Sequence, residues 1–80
     1  MKQVANLLKA ARVKKGLSQT VTGRILRLSE QFISRMEGCQ CPIPIKHTKR
    51  LQKLFDISTE DLMEAYAKDY WEKLKKKFNA

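Results

Sequence analysis

LSQTVTGRILRLSEQFISRMEG, residues 17–38, holds two serines that are each placed to start a helix. A serine hydroxyl at such a position accepts a hydrogen bond from a backbone N–H two or three residues on, pairing a donor the helix itself leaves open. Ser18 therefore predicts a helix from Gln19 to about Leu26, with Val21, Ile25 and Leu26 as its apolar face. Ser29 predicts another, from Glu30 to Glu37, with Gly38 ending it. Gly23 inside the first helix costs about 1 kcal/mol relative to alanine, so close approach of a neighbouring helix is expected there. The second helix buries little: Ile33 and Met36 inward, against Glu30, Gln31, Ser34 and Arg35 on the other side.

Helical patterns extend outward in both directions. Val4, Leu7, Leu8 and Ala11 recur at amphipathic spacing, and Gly16 supplies a stop, with Lys14 and Lys15 suited to the negative end of the helix dipole. Downstream, CQCPIPIKHT (39–48) reads as a loop, because Pro42 and Pro44 forbid a continuing helix interior. A fourth helix follows from about Ile45 to Phe55, with Ile45, Thr48, Leu51, Leu54 and Phe55 inward and Ile57 plugging the core after it. Ser58 or Thr59 caps a last helix running to near Phe78, and Ser58 with Asp61 fits a capping-box spacing. No strand signal, repeat or low-complexity tract interrupts this. The expectation is an all-α, compact five-helix domain with an extended last helix, occupying residues 1–80 as one unit.

Charge narrows the partners. Lys and Arg number 17 against 8 Asp and Glu, a net charge of +9, and a surplus of this size suits a polyanion. It is uneven: residues 1–40 carry eight basic and two acidic side chains, residues 41–80 nine and six. No apolar run approaches a membrane span, and the N-terminus lacks the apolar segment and cleavage site of a secretion signal. A cytoplasmic protein of bacterial or phage origin, with no membrane contact, is the expectation, and Cys39 and Cys41 are read as reduced thiols. Enzyme chemistry is not indicated, since there is one histidine and no phosphate-binding loop, zinc-protease motif or nucleophile elbow. Cys39, Cys41 and His47 lack the further ligand that a zinc site requires, so no metal and no cofactor is expected.

Two short helices joined by a tight turn, the second opened by serine, suggest a helix-turn-helix. Residues 17–38 resemble the core of the phage repressor/Cro-like (XRE) family of DNA-binding proteins. The resemblance rests on Leu17-Ser18-Gln19, on Gly23 four positions after the glutamine, on Ser29, on Ile33-Ser34-Arg35-Met36-Glu37 and on Gly38. LQKLFDISTEDLMEAY (51–66) is similar to the family's fourth helix, turn and fifth helix, so the likeness covers about residues 4–66. The chain departs from the pattern at Thr22, where the family has an apolar residue that Val21 would replace by a small rotation. It departs also at Arg27, where the family has a turn glycine. A left-handed arginine costs about 1 kcal/mol or more, so either strain or a differently shaped turn is expected. The loop 39–44 is less typical, and residues 67–80 have no counterpart in the minimal domain.

The resemblance implies that the third helix enters the major groove of duplex DNA. Gln31 then has the planar donor–acceptor pair that suits adenine, Arg35 the fork that suits guanine, and Glu30 an acceptor for cytosine; Ser34 completes the set. Phe32 is open between core, DNA backbone and a thymine methyl. The family places Gln19, at the start of helix 2, and Lys46, His47 and Thr48, at the start of helix 4, against phosphates. Arg24, Arg27 and Lys49 are further phosphate candidates by charge. In the last helix, Leu62, Met63, Tyr66, Ala67, Tyr70, Trp71, Leu74 and Phe78 form a stripe whose first half is read as core. Tyr70, Trp71, Leu74 and Phe78 are read as a homodimer interface, with folding back on helix 1 as the alternative. A dimer would bind a near-palindromic operator with half-sites ~34–36 Å apart. The expected function is a dimeric, sequence-specific regulator of transcription, most simply a repressor. The rival reading is an antitoxin or adaptor whose last helix binds a toxin or other protein.

Overall fold

Ser18, Ser29 and Ser58 each start a helix through one local bond. Their hydroxyls accept from the backbone N–H of Val21 at 3.1 Å, Phe32 at 3.0 Å and Asp61 at 3.1 Å. The computed structural model describes residues 2–41, 43 and 45–79, and these form α1 (Lys2–Lys14), α2 (Gln19–Leu26), α3 (Glu30–Glu37), α4 (Ile45–Phe55) and α5 (Thr59–Asn79). No strand occurs among the described residues. Pro42 and Pro44, the residues on which the loop expectation rested, lie outside them.

The helix ends share one device. Gly16 has φ +73°, and its N–H bonds to the Val13 carbonyl while Leu17 N–H reaches back to Arg12. This is the Schellman closure, which requires left-handed backbone. Arg27 (φ 57°), Cys39 (φ 60°) and Asp56 (φ 57°) occupy the same position after α2, α3 and α4, and the next residue reaches back five positions each time: Leu28 to Gly23, Gln40 to Arg35, Ile57 to Gln52. The turn between α2 and α3 therefore keeps a left-handed residue despite the arginine. The expected stop at Gly38 is displaced by one residue: Gly38 has φ −89°, and the left-handed position falls on Cys39.

The core gathers Val4, Ala5 and Leu8 of α1, Leu26 of α2, Ile33 and Met36 of α3, Ile43, Leu51 and Phe55, and Leu62 and Ala65 of α5. Leu7, Leu17, Leu28, Leu54 and Ile57 pack half-buried against it. Burial at roughly 25 cal/mol per Å² of apolar surface is what holds these short helices together. Three inward assignments change. In α2 it is Thr22 that is fully buried while Val21 and Ile25 are exposed, so no rotation replaces the threonine. In α4 Ile45 is 68% exposed, because it is the first residue of the helix and precedes the turn that meets the core. In α5 Met63 and Ala67 are exposed; Leu62, Ala65 and the half-buried Tyr66 make the core contact. Gly23 does serve close approach, but to the turn rather than to a helix: a Cβ there would lie 2.5 Å from the Leu28 carbonyl oxygen.

α5 packs chiefly along α1, and α2 against α3. Asp69 accepts from the backbone N–H of Gln3 at 2.8 Å and of Val4 at 2.9 Å, so a carboxylate on α5 caps the start of α1. The last turns of α5 run beyond this junction and draw the molecule out to 41 × 25 × 20 Å.

Candidate nucleic-acid interface

α3 is fixed at both ends and along one side. Ser29 holds its start, and Ile33 and Met36 are 1% and 2% exposed. At its end Glu37 takes a two-pronged bond from Arg12, with Nε to Oε2 at 2.7 Å and Nη2 to Oε1 at 2.9 Å. Arg12 also donates to the Leu17 carbonyl at 2.8 Å, and the Gln19 amide donates to Glu37 at 3.3 Å. Both ionic side chains are nearly buried, a setting in which removing one partner of a pair is costly. α1, the start of α2 and the last turn of α3 thus meet at one carboxylate.

What remains outward on α3 is Glu30, Gln31, Ser34 and Arg35, all exposed. Successive positions are one, three and one residues apart, so they line one edge of the helix, away from Ile33 and Met36. Phe32 is half-buried and meets His47 edge-on, with ring centroids 5.5 Å apart. That contact sets the first turn of α4, with the exposed Lys46, beside α3. Lys49 is exposed as well. Arg24 and Arg27 are exposed too, on the last turn of α2 and the turn that follows.

Three phosphate candidates are placed differently. The Thr48 side chain is 1% exposed and its hydroxyl lies 2.7 Å from that of Tyr66, which also donates to the Ile43 carbonyl. Thr48 therefore ties α4 to α5 and its hydroxyl does not face solvent. Gln19 is half-buried with its amide held by Glu37, which leaves the N-terminal backbone of α2 as the part open to an anion. His47 is half-buried and its Nδ1 is enclosed without a hydrogen-bond partner.

The sequence reading misses three functional placements. Arg50 donates to the Leu26 carbonyl at the end of α2, linking α4 to the helix-turn-helix; it lies one turn after Lys46, a spacing visible in the sequence. The Arg12–Glu37 pair spans 25 residues and Asp69 reaches α1 across 65, and neither leaves a local signal. Glu37 and Arg12 neutralise each other, and Glu30, the other acidic side chain of residues 2–40, makes no ion pair among the described residues. The exposed charge around α3 is therefore mostly positive.

Comparison of the chain with protein-family models, with curated proteins and with solved structures finds no match. Among the described residues no helix is long and apolar enough to cross a membrane.

Proposed function

We propose that this chain is a sequence-specific regulator of transcription that binds duplex DNA as a dimer and represses by occupying a near-palindromic operator. It is a cytoplasmic binding protein, not an enzyme. α3 lies in the major groove, where Gln31, Arg35, Glu30 and Ser34 meet base edges. Arg24, Arg27, Lys46 and Lys49 meet phosphates, with the amino end of α2 beside them. One observation carries this reading: a short helix, immobilised at both ends, offers only hydrogen-bonding side chains along its free edge.

The exposed aromatic residues of α5 favour one second reading, in which the chain is an antitoxin or adaptor and this face seats another protein. The two readings separate by salt dependence. Fluorescence anisotropy of a labelled duplex, titrated between 50 and 200 mM salt, is expected to give a slope of log K against log salt of about −5 to −7, for roughly six to eight phosphate contacts per dimer. A slope near zero, or no duplex binding at the lowest salt, overturns the DNA reading.

A further inference from the structure

The second half of α5 carries an apolar face that the core does not use. At 3.6 residues per turn, Leu62, Ala65, Tyr66 and Asp69 share the side that meets the rest of the fold. Met63, Ala67, Tyr70, Trp71, Leu74 and Phe78 share another, roughly 140° around the axis. Met63, Tyr70, Trp71 and Phe78 are 66%, 67%, 68% and 82% exposed, and Trp71, Leu74 and Phe78 line one shallow groove. The order of these positions matters. Their separations are four, three, one, three and four residues, which reads the same in both directions. A helix lying antiparallel on a copy of itself brings together residues whose numbers have a constant sum. Met63 with Phe78, Ala67 with Leu74, and Tyr70 with Trp71 all satisfy a single sum, 141.

Charge selects the same direction. The first two turns of α5 hold Glu60, Asp61 and Glu64, and the last turns hold Lys73, Lys75, Lys76 and Lys77. Parallel pairing would set the lysine clusters of both copies side by side. Antiparallel pairing sets each acidic end beside a basic one, and on the Trp71 flank Glu64 comes beside Lys75 of the second copy, offset along the axis by two residues' rise, about 3 Å. Glu64 already shares an exposed pair with Lys68 at 3.3 Å, which leaves its carboxylate able to accept again.

We propose that α5 pairs antiparallel with α5 of a second copy, about a two-fold axis between Tyr70 and Trp71. The proposal rests on the dimeric reading above and names its geometry. With aromatic side chains contributing 150–250 Å² each when fully covered, a face of roughly 500–600 Å² per copy is available. The pair then buries about 1,000 Å², at the lower edge of specific interfaces. The dimer is accordingly expected to dissociate on dilution.

Sedimentation equilibrium of the full chain without DNA tests the association, and disulfide trapping tests the register. In a Cys39→Ser, Cys41→Ser background, oxidised with glutathione disulfide, Ala67→Cys combined with Leu74→Cys is expected to cross-link two chains. Neither single substitution is expected to do so. Trapping by Ala67→Cys alone would mean parallel pairing and overturn the proposal. In the otherwise native chain, Glu64→Lys and Lys75→Glu are each expected to weaken dimerisation about 5- to 10-fold, since each disturbs two symmetric ion pairs. The double exchange restores it. No loss in the single variants, or no recovery in the double, overturns the register; a strictly monomeric chain overturns the pairing and leaves the face to another partner. Duplex binding is scored on the same preparation. An intact dimer that ignores DNA defeats the DNA reading alone, and a DNA-binding monomer defeats the pairing alone.

Discussion

Gly16, Arg27, Cys39 and Asp56 hold the same left-handed backbone after four successive helices, and only the first lacks a Cβ. A non-glycine residue there carries a cost of about 1 kcal/mol. At Asp56 a short polar side chain tolerates the conformation comparatively well. At Arg27 the cost has no such relief, and the side chain is exposed at the mouth of the helix-turn-helix. A strained residue held in place motivates a functional hypothesis, and the function proposed for Arg27 is phosphate contact. Arg27→Gly is expected to stabilise the fold by about 0.5–1 kcal/mol, a rise of several degrees in Tm for a domain of this size, while weakening duplex binding and flattening its salt slope by about two units, one contact being lost from each protomer of the dimer. Asp56→Gly, measured beside it by thermal melting and anisotropy, is expected to stabilise without weakening binding. Loss of stability in Arg27→Gly, or unchanged affinity, would contradict this account of the turn. The departure at Arg27 was legible, but which of strain or altered geometry wins was not. That depends on how firmly Leu28 N–H and the Gly23 carbonyl are held together, at 2.8 Å.

Single helices were legible where their signals are local. Serine caps act within three residues, so the starts of α2, α3 and α5 follow from the sequence, and the face of α3 follows from Ile33 and Met36. The phase of α2 did not follow. It has eight residues, little more than two turns, and Val21, Ile25 and Leu26 define a face no better than Thr22 and Leu26 do. Packing decides, and it encloses a threonine whose hydroxyl finds no partner. Relations between distant helices left no trace either. Asp69 reads as surface charge on α5, yet its two oxygens close the start of α1. Asp69→Ala is expected to cost about 1–2 kcal/mol, as loss of an N-cap does, read as a lower midpoint in urea denaturation at unchanged slope. Because Asp69 is remote from α3, duplex affinity under conditions where the variant is folded is expected to stay the same. A midpoint equal to that of the native chain would show that water serves the α1 amides equally well.

Across the whole molecule, the proposed function divides between the free edge of α3 and the outer face of α5. Arg12, Glu37 and Leu17 lock α3 to α1, and α1 in turn lies along α5. The rigid path from the reading edge to the apolar face of α5 is therefore short. In the proposed dimer, two copies joined through α5 would hold their α3 helices at a fixed spacing, and half-sites about one DNA turn apart are the expectation. The charge surplus and the polar edge of α3 between Glu30 and Arg35, on which the proposed partner class rests, were legible in the sequence. A base preference was not, because each candidate side chain pairs with more than one base and docking angle decides among them.

The central claim is that α3 reads base edges, and selection of bound duplexes from a random pool tests it most directly, with the native chain and Gln31→Ala run in parallel at near-physiological salt. The account predicts a near-palindromic consensus for the native chain, with the variant relaxed at one position in each half-site and discrimination there reduced by about 1–3 kcal/mol. Absence of any consensus, or an identical consensus for both proteins, would contradict it.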